Sequence, residues 1–134
     1  MRAVFDTNVL IAAFVADGLC ARLLSRARKG HFDLLLCPCI VEEVQSVLRR
    51  KFKASAEEID QAMALLGEAA VAMIAVGAEV GGICRDADDD RILACAKAAA
   101  ADCLVTGDDD LLVLKIYGTT KILAPREFEL LFAD

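Results

Sequence analysis

Residues 2–10 read RAVFDTNVL, an apolar run that stops abruptly at a polar turn before an apolar pattern resumes at Val9. The run at residues 3–5 is typical of a short buried strand, and the pattern after the turn is typical of a helix. In open α/β sheets, ligands bind at the carboxyl ends of the strands, where this turn would lie. Asp6 is therefore either an ordinary helix N-cap or the first carboxylate of a functional site.

Strand-like and helix-like segments alternate along the rest of the chain. Further strands are predicted at residues 34–37, 71–76, 103–106 and 120–123. Helices are predicted at residues 9–14, 19–29, 40–51, 56–69, 89–101 and 110–115, with a last helix that begins at Pro125. This alternation predicts an α/β fold, a three-layer α/β/α sandwich around a parallel five-stranded sheet. We expect residues 1–134 to form a single domain.

The composition indicates a large apolar core. Hydrophobic residues make up 57% of the chain, too many for an intrinsically disordered protein. The longest apolar run, residues 69–78, is shorter than the roughly 20 residues that span a bilayer. The apolar segment at residues 9–16 lacks the basic start and the cleavage site of a signal peptide, so we expect a cytoplasmic protein without a membrane segment.

The cysteines occur in apolar segments, which is typical of buried free thiols in a reducing compartment. They are Cys20, Cys37, Cys39, Cys84, Cys95 and Cys103. The pair Cys37 and Cys39 has no second Cys pair or His partner at the spacing of a zinc site. We therefore expect free cysteines and no zinc.

The net charge of −6 is unusual for a protein that binds nucleic acid, but the charges are unevenly distributed. Seven of the 21 acidic residues lie in residues 86–90 and 108–110, where bound divalent cations would reverse the local field. Eight of the 15 basic residues lie in residues 22–29 and 49–53. These basic clusters indicate either phosphate contacts or solvated helix faces. The candidate contacts are Arg22, Arg26, Lys29, Arg49, Arg50 and Lys53.

Acidic residues follow two predicted strands and begin one predicted helix. Asp6 and Asp108 follow strands whose carboxyl ends meet at one edge of a parallel sheet. Asp89 shares a helix face with the apolar positions three, four and seven residues further on, whereas Asp90 lies off that face. Each of these acids alone is more readily explained as a helix N-cap than as a ligand.

Helical periodicity selects a fourth acid. In the predicted helix at residues 40–51, Glu43 borders the apolar face that would pack on the sheet, and Glu42 points nearly the opposite way. Convergent carboxylates without His or Cys suit a hard cation, Mg²⁺ or Mn²⁺, which also relieves their mutual repulsion. Such a site lowers the pKa of a metal-bound water and stabilises charge on a phosphoryl group. The four acids together therefore predict metal-dependent phosphodiester hydrolysis.

Four segments carry a resemblance to a known family: FDTNVLI at residues 5–11, EEVQSVLRRKF at 42–52, RDADDDRILACA at 85–96 and ADCLVTGDDDLL at 101–112. In this order they resemble the PIN domain, a nuclease of the PilT N-terminal type, and above all its branch of toxins from toxin–antitoxin pairs. The resemblance implies a Mg²⁺- or Mn²⁺-dependent ribonuclease with strand order 3-2-1-4-5, frequent homodimers and a cognate antitoxin. It maps the core acids onto Asp6, Glu43, Asp89 and Asp108, with Asp6, Asp89 and Asp108 as metal ligands.

The resemblance also implies supporting residues. Asn8 and Thr106 would be supporting polar residues, and Asp110 would be a further acid near the metal. Asp86 competes with Asp89 for the third acidic position, because the run DADDD offers several carboxylates. Ala87 stands where this branch often has proline, a change that affects the stiffness of the loop rather than ligation.

Other phosphoryl-handling folds fit the sequence less well. A haloacid-dehalogenase-like phosphatase would need a second aspartate at the position of Asn8. A receiver domain would need an aspartate after the third strand, and none lies between Asp60 and Asp86. P-loop and dinucleotide-binding fingerprints are absent from the sequence. The remaining alternative is a PIN-fold nucleic-acid-binding or protein-interaction module with little or no nuclease activity, and the presence of all four core acids favours the enzyme.

Overall fold

The computed structural model describes residues 1–76 and 87–132. Its strands are β1 (Arg2–Phe5), β2 (Asp33–Leu36), β3 (Ala70–Met73), β4 (Cys103–Val105), β5 (Ile116–Tyr117) and β6 (Thr120–Leu123). Its helices are α1 (Thr7–Val15), α2 (Leu19–Arg28), α3 (Pro38–Arg50), α4 (Ala56–Ala69), α5 (Ala87–Ala98), α6 (Asp109–Leu112) and α7 (Pro125–Leu130). The predicted α/β class is confirmed.

The strands of the described residues form one sheet in the order β3-β2-β1-β4-β6-β5. Every neighbouring pair is parallel except β5 and β6, which form an antiparallel hairpin. The predicted order 3-2-1-4-5 is confirmed, because the predicted fifth strand is β6. The sheet contains one strand more than predicted, since the two residues of β5 are too few to show a strand period.

The centre of the sheet is apolar on both faces, as a parallel sheet in a three-layer sandwich requires. Val4 and Phe5 of β1 are fully buried, and so are Leu104 and Val105 of β4. These two strands pair directly, with Phe5 opposite Val105. Both strands therefore end side by side, and the segments that follow them begin at the same edge of the sheet.

Local signals account for several of the helix ends. α4 has the predicted bounds, and Ser55 and Glu58 form the predicted capping box by exchanging side-chain and backbone hydrogen bonds. Gly30, two residues after α2, has a φ of 81°, which glycine adopts without strain. Pro38, predicted to end the second strand, is the first residue of α3, where its missing N–H is no loss.

One expectation about the cysteines is wrong. Cys37 and Cys95 form a disulfide with a Cα–Cα distance of 6.1 Å, whereas Cys20, Cys39 and Cys103 are free. The two bonded residues are 58 positions apart, so their proximity arises only from the packing of the helices. The bond joins the N-cap of α3 to α5. Cys84 lies outside the described residues.

Among the described residues, no single helix is long and apolar enough to cross a membrane. The helices α1 and α2 meet the criteria of length and composition only when they are taken together. The axes of these two helices differ by 98°.

Candidate metal centre

Asp6 and Asp108 occupy neighbouring positions at the carboxyl ends of the two central strands. Asp6 follows β1 directly, and its N–H donates a hydrogen bond to the carbonyl of Val105 at 2.9 Å, which extends the pairing with β4 by one residue. Asp108 lies three residues beyond Val105 and is the N-cap of α6. The ends of two adjacent parallel strands thus bring together two acids that are 102 positions apart.

Thr106 links these two acids. Its hydroxyl Oγ1 donates a hydrogen bond to Asp6 Oδ2 at 2.7 Å and accepts one from the N–H of Asp108 at 3.0 Å. The side chain of Asp6 also accepts a hydrogen bond through Oδ1 from the N–H of Thr7 at 2.7 Å. Thr106 is completely buried, and its hydrogen bond holds the Asp6 carboxylate in a fixed orientation.

Asp6 and Asp108 both act as helix N-caps. Asp6 caps α1 through the N–H of Thr7, and Asp108 caps α6 by accepting a hydrogen bond through Oδ1 from the N–H of Asp110 at 2.9 Å. The two interpretations left open by the sequence are therefore compatible, because capping orients each carboxylate at the edge of the sheet. A carboxylate has about four lone-pair positions, and a capping hydrogen bond uses only one of them. The remaining positions can still accept a ligand.

A cluster of three carboxylates lies at this edge. Asp89, Asp108 and Asp110 each offer one carboxylate oxygen, and these oxygens all lie within 4.8 Å of one another. Asp89 is buried in the first turns of α5, Asp108 is half-buried, and Asp110 is exposed. Only oxygen donors are present in this cluster, which fits Mg²⁺ or Mn²⁺ better than the softer metals that prefer nitrogen and sulfur.

A cavity of about 150 Å³ opens beside these acids, and we call it the acidic cavity. Glu43 on α3 lines it, whereas Glu42 is exposed and does not belong to its wall. Asn8 on α1 also lines it. The described residues of the wall are Asp6, Thr7, Asn8, Cys39, Ile40, Glu43, Asp89, Arg91, Ile92 and Asp108.

The acids of the cavity influence one another. Burial raises the pKa of Asp6 above its ordinary value of 3.8, and the charges of Glu43 and Asp108 act in the same direction. The hydrogen bonds from Thr106 and Thr7 oppose this effect. An ionised Asp6 is thus held in a negative field, and a divalent cation bound nearby would reverse that field.

The predicted basic contacts lie elsewhere. Of the six basic residues proposed from the sequence, none belongs to the described wall of the acidic cavity. Arg26 donates from Nε to Glu129 Oε1 at 2.8 Å and lies 5.1 Å from the centre of the Phe132 ring, so it is engaged within the fold. The others are exposed, namely Arg22, Lys29, Arg49, Arg50 and Lys53. Asp86, the competitor of Asp89, lies outside the described residues.

Sequence reasoning missed two residues that line the cavity, and it missed the burial of a third residue, Asp90. Asp90 is buried to the same extent as Asp89, although helical spacing placed it off the apolar face. Cys39 and Arg91 line the cavity without having been predicted. Their positions in the sequence could have indicated them. Cys39 lies in the first turn of α3 and Arg91 lies near the start of α5, and the first turns of both helices face the site.

Comparisons with known proteins agree with this architecture. A family described as the PIN domain matches residues 2–110. A solved structure, described as VapBC2 from Rickettsia felis bound to a DNA fragment from their promoter, superposes with a TM-score of 0.62 at 17% identity. The match covers 92% of this chain and 98% of that one, and at this identity it shows the fold. No curated protein matches the sequence.

Proposed function

The chain belongs to the PIN-domain family, and we propose that it is a divalent-metal-dependent endoribonuclease whose acidic cavity holds Mg²⁺ or Mn²⁺. The observation that carries this proposal is the approach of carboxylate oxygens of Asp89, Asp108 and Asp110 to within 4.8 Å of one another. Like charges at such distances destabilise a fold unless a cation compensates them. The three carboxylates come from two separate elements, Asp89 from α5 and Asp108 and Asp110 from the start of α6, and the edge of the sheet brings them together.

The acids of the site and Asn8 have proposed roles. Asp6, Asp89 and Asp108 would hold the metal, and Asp110 would be the further acid beside it. A bound divalent ion lowers the pKa of a coordinated water and stabilises the charge that develops on a phosphoryl group. Glu43, which lines the cavity, would orient the attacking water by accepting a hydrogen bond from it. Asn8 donates an amide hydrogen bond to a phosphate oxygen.

The proposal extends to the biological setting of the enzyme. We propose that residues 1–134 form one domain that acts as the toxin of a toxin–antitoxin pair, as a homodimer with RNA as substrate. The similar structure, whose description names VapBC2, supports a protein antitoxin as the partner. Expression of the wild type should arrest bacterial growth, and expression of Asp108→Asn should not.

Exposed basic residues remain candidates for contacts with the RNA backbone. Arg22 and Lys29 on or beside α2, together with Arg49 and Arg50 at the end of α3 and Lys53 beyond it, are all exposed. Arg26 is withdrawn from this set, because its guanidinium binds Glu129. Neutralisation of phosphates by such side chains would make RNA affinity fall with salt.

The test is cleavage of an end-labelled single-stranded RNA by the purified protein with Mn²⁺. We expect cleavage by the wild type, its loss in the presence of EDTA, and its loss in Asp108→Asn. The exposed Asp102, which lies before β4, provides a matched control, and Asp102→Asn should cleave normally. Cleavage that survives both EDTA and Asp108→Asn would overturn the proposal. Binding of RNA without cleavage would instead favour the non-enzymatic interaction module.

A further inference from the structure

The wall of the acidic cavity contains a single cationic side chain among its described residues, that of Arg91. Arg91 lies two residues after Asp89 on α5, and it is exposed to solvent where it lines the cavity. It therefore places a positive charge beside the four carboxylates of the wall, Asp6, Glu43, Asp89 and Asp108.

The charge of Arg91 extends across the cavity to α3. Burial raises the pKa of the Cys39 thiol, and Arg91 acts against that effect while Glu43 adds to it. Cys39 and Glu43 both belong to α3, whereas Arg91 belongs to α5. Arg91 and these two residues of α3 therefore line the same cavity from two different helices.

A polyanionic substrate needs more positive charge at this entrance than one metal supplies. The wall contains four carboxylates, Asp6, Glu43, Asp89 and Asp108, and one divalent cation compensates only two of their charges. Each RNA phosphate brings a further negative charge. A guanidinium suits this position, because its planar N–H donors match two phosphate oxygens and it keeps its charge at every physiological pH.

We propose that Arg91 binds the non-bridging oxygens of an RNA phosphate at the mouth of the acidic cavity and so positions the strand for cleavage. This inference rests on the proposed function, because it assumes that RNA enters the cavity. A different role would be compensation of the carboxylates before the metal binds. The two roles differ in outcome, since compensation predicts tighter Mn²⁺ binding in Arg91→Gln and unchanged RNA binding.

The test uses fluorescence anisotropy of a fluorescein-labelled oligouridylate in Ca²⁺ buffer, with gel analysis to show that the RNA stays intact. The proteins are the wild type, Arg91→Gln, Arg91→Lys and Lys97→Gln. Lys97 is an exposed cation on the same helix, so Lys97→Gln removes the same charge six residues away from Arg91. Circular dichroism and the melting temperature establish that each variant is folded.

We expect Arg91→Gln to weaken binding about tenfold or more, as loss of a charged hydrogen-bond pair does. The slope of log affinity against log salt should become shallower by about 0.7, the value for one phosphate contact on a single strand. Arg91→Lys should retain the slope and lose part of the affinity, and Lys97→Gln should match the wild type.

Two outcomes would overturn the inference: wild-type affinity and slope in Arg91→Gln, or an equal loss in Lys97→Gln. Cleavage assays separate this failure from failure of the proposed function. If the wild type cleaves RNA with Mn²⁺ and Arg91→Gln binds normally, only the role of Arg91 is wrong. If the wild type neither binds nor cleaves RNA, both proposals are wrong.

Discussion

Two regions of the molecule handle charge in opposite ways. At the contact between α2 and α7, the cation of Arg26 meets the anion of Glu129 and covers the ring of Phe132, so opposite charges compensate each other within the chain. In the acidic cavity, carboxylates face carboxylates, and hydrogen bonds from Thr106 and Thr7 hold Asp6 in that arrangement. The first region compensates its charges within the chain, whereas the second is where we propose that an external cation binds.

The largest expected effect lies in the cavity, at Glu43. Glu43→Gln should slow Mn²⁺-dependent RNA cleavage by about 100-fold or more, because an amide loses the charge that orients the water. Glu42 is the adjacent residue of the same type, and Glu42→Gln should change the rate little, because Glu42 is exposed outside the cavity wall. Equal activity in the two variants, or a greater loss in Glu42→Gln, would contradict the assignment.

A smaller effect should follow from removing the hydroxyl that links the acids. Thr106→Val keeps the shape of the side chain but leaves Asp6 Oδ2 and the N–H of Asp108 without their hydrogen bonds to Thr106. We expect a loss of about 1–3 kcal/mol in the free energy of unfolding and a slower cleavage rate. Thr106→Ser should restore both properties, and a Thr106→Val protein with normal stability and rate would show that the link is dispensable.

The compensated region should respond more weakly. Arg26→Gln should reduce the free energy of unfolding by about 1 kcal/mol, since the ion pair with Glu129 is only partly exposed. Arg28 forms a more exposed pair with Glu68, and Arg28→Gln should change stability by less than about 0.5 kcal/mol. Urea denaturation measures both changes. Loss of RNA cleavage in a folded Arg26→Gln would place Arg26 in the functional site. It would contradict the distinction between the Arg26–Glu129 contact and the acidic cavity.

The acidic cavity should also make a distinct contribution to the pH dependence of stability, through Asp6. Because burial raises the native pKa of Asp6 above 3.8, ionised Asp6 destabilises the metal-free fold. This penalty is complete above the raised native pKa, decreases as the pH falls through it, and vanishes below the unfolded value of 3.8. Asp6→Asn, which can still cap α1, should therefore stabilise the metal-free protein at neutral pH and progressively less in acid.

Urea unfolding in EDTA between about pH 7.5 and pH 4 measures this difference. A variant that is no more stable than the wild type at neutral pH would contradict the raised pKa. The unfolding measurement must use the metal-free protein, because a bound cation would stabilise the charged form of Asp6 and hide the effect.

Features that depend on local sequence were predictable. The strand that ends before Asp6, the capping box of Ser55 and Glu58, and the position of Glu43 on α3 all follow from turn chemistry or helical period. The convergence of Asp6 and Asp108 could also be predicted from the sequence, because parallel strands end at one edge of a sheet. These predictions required only the order of the elements.

Features that depend on packing between distant segments were not predictable. The disulfide joins residues 58 positions apart, and the contact that engages Arg26 reaches 103 positions along the chain to Glu129. Neither distance leaves a periodic signal in the sequence. Burial of Asp90 likewise depends on what surrounds the first turn of α5, and a single apolar stripe cannot describe a helix that is buried on more than one side.

The most direct test of the central claim is the melting temperature of the protein with and without millimolar Mn²⁺. A ligand that binds only the native state stabilises it by mass action, so the wild type should melt at a higher temperature with Mn²⁺. Asp89→Asn removes the buried carboxylate of the cluster and should abolish that increase, whereas Asp102→Asn should retain it. Absence of an increase in the wild type, or an equal increase in Asp89→Asn, would contradict the metal centre.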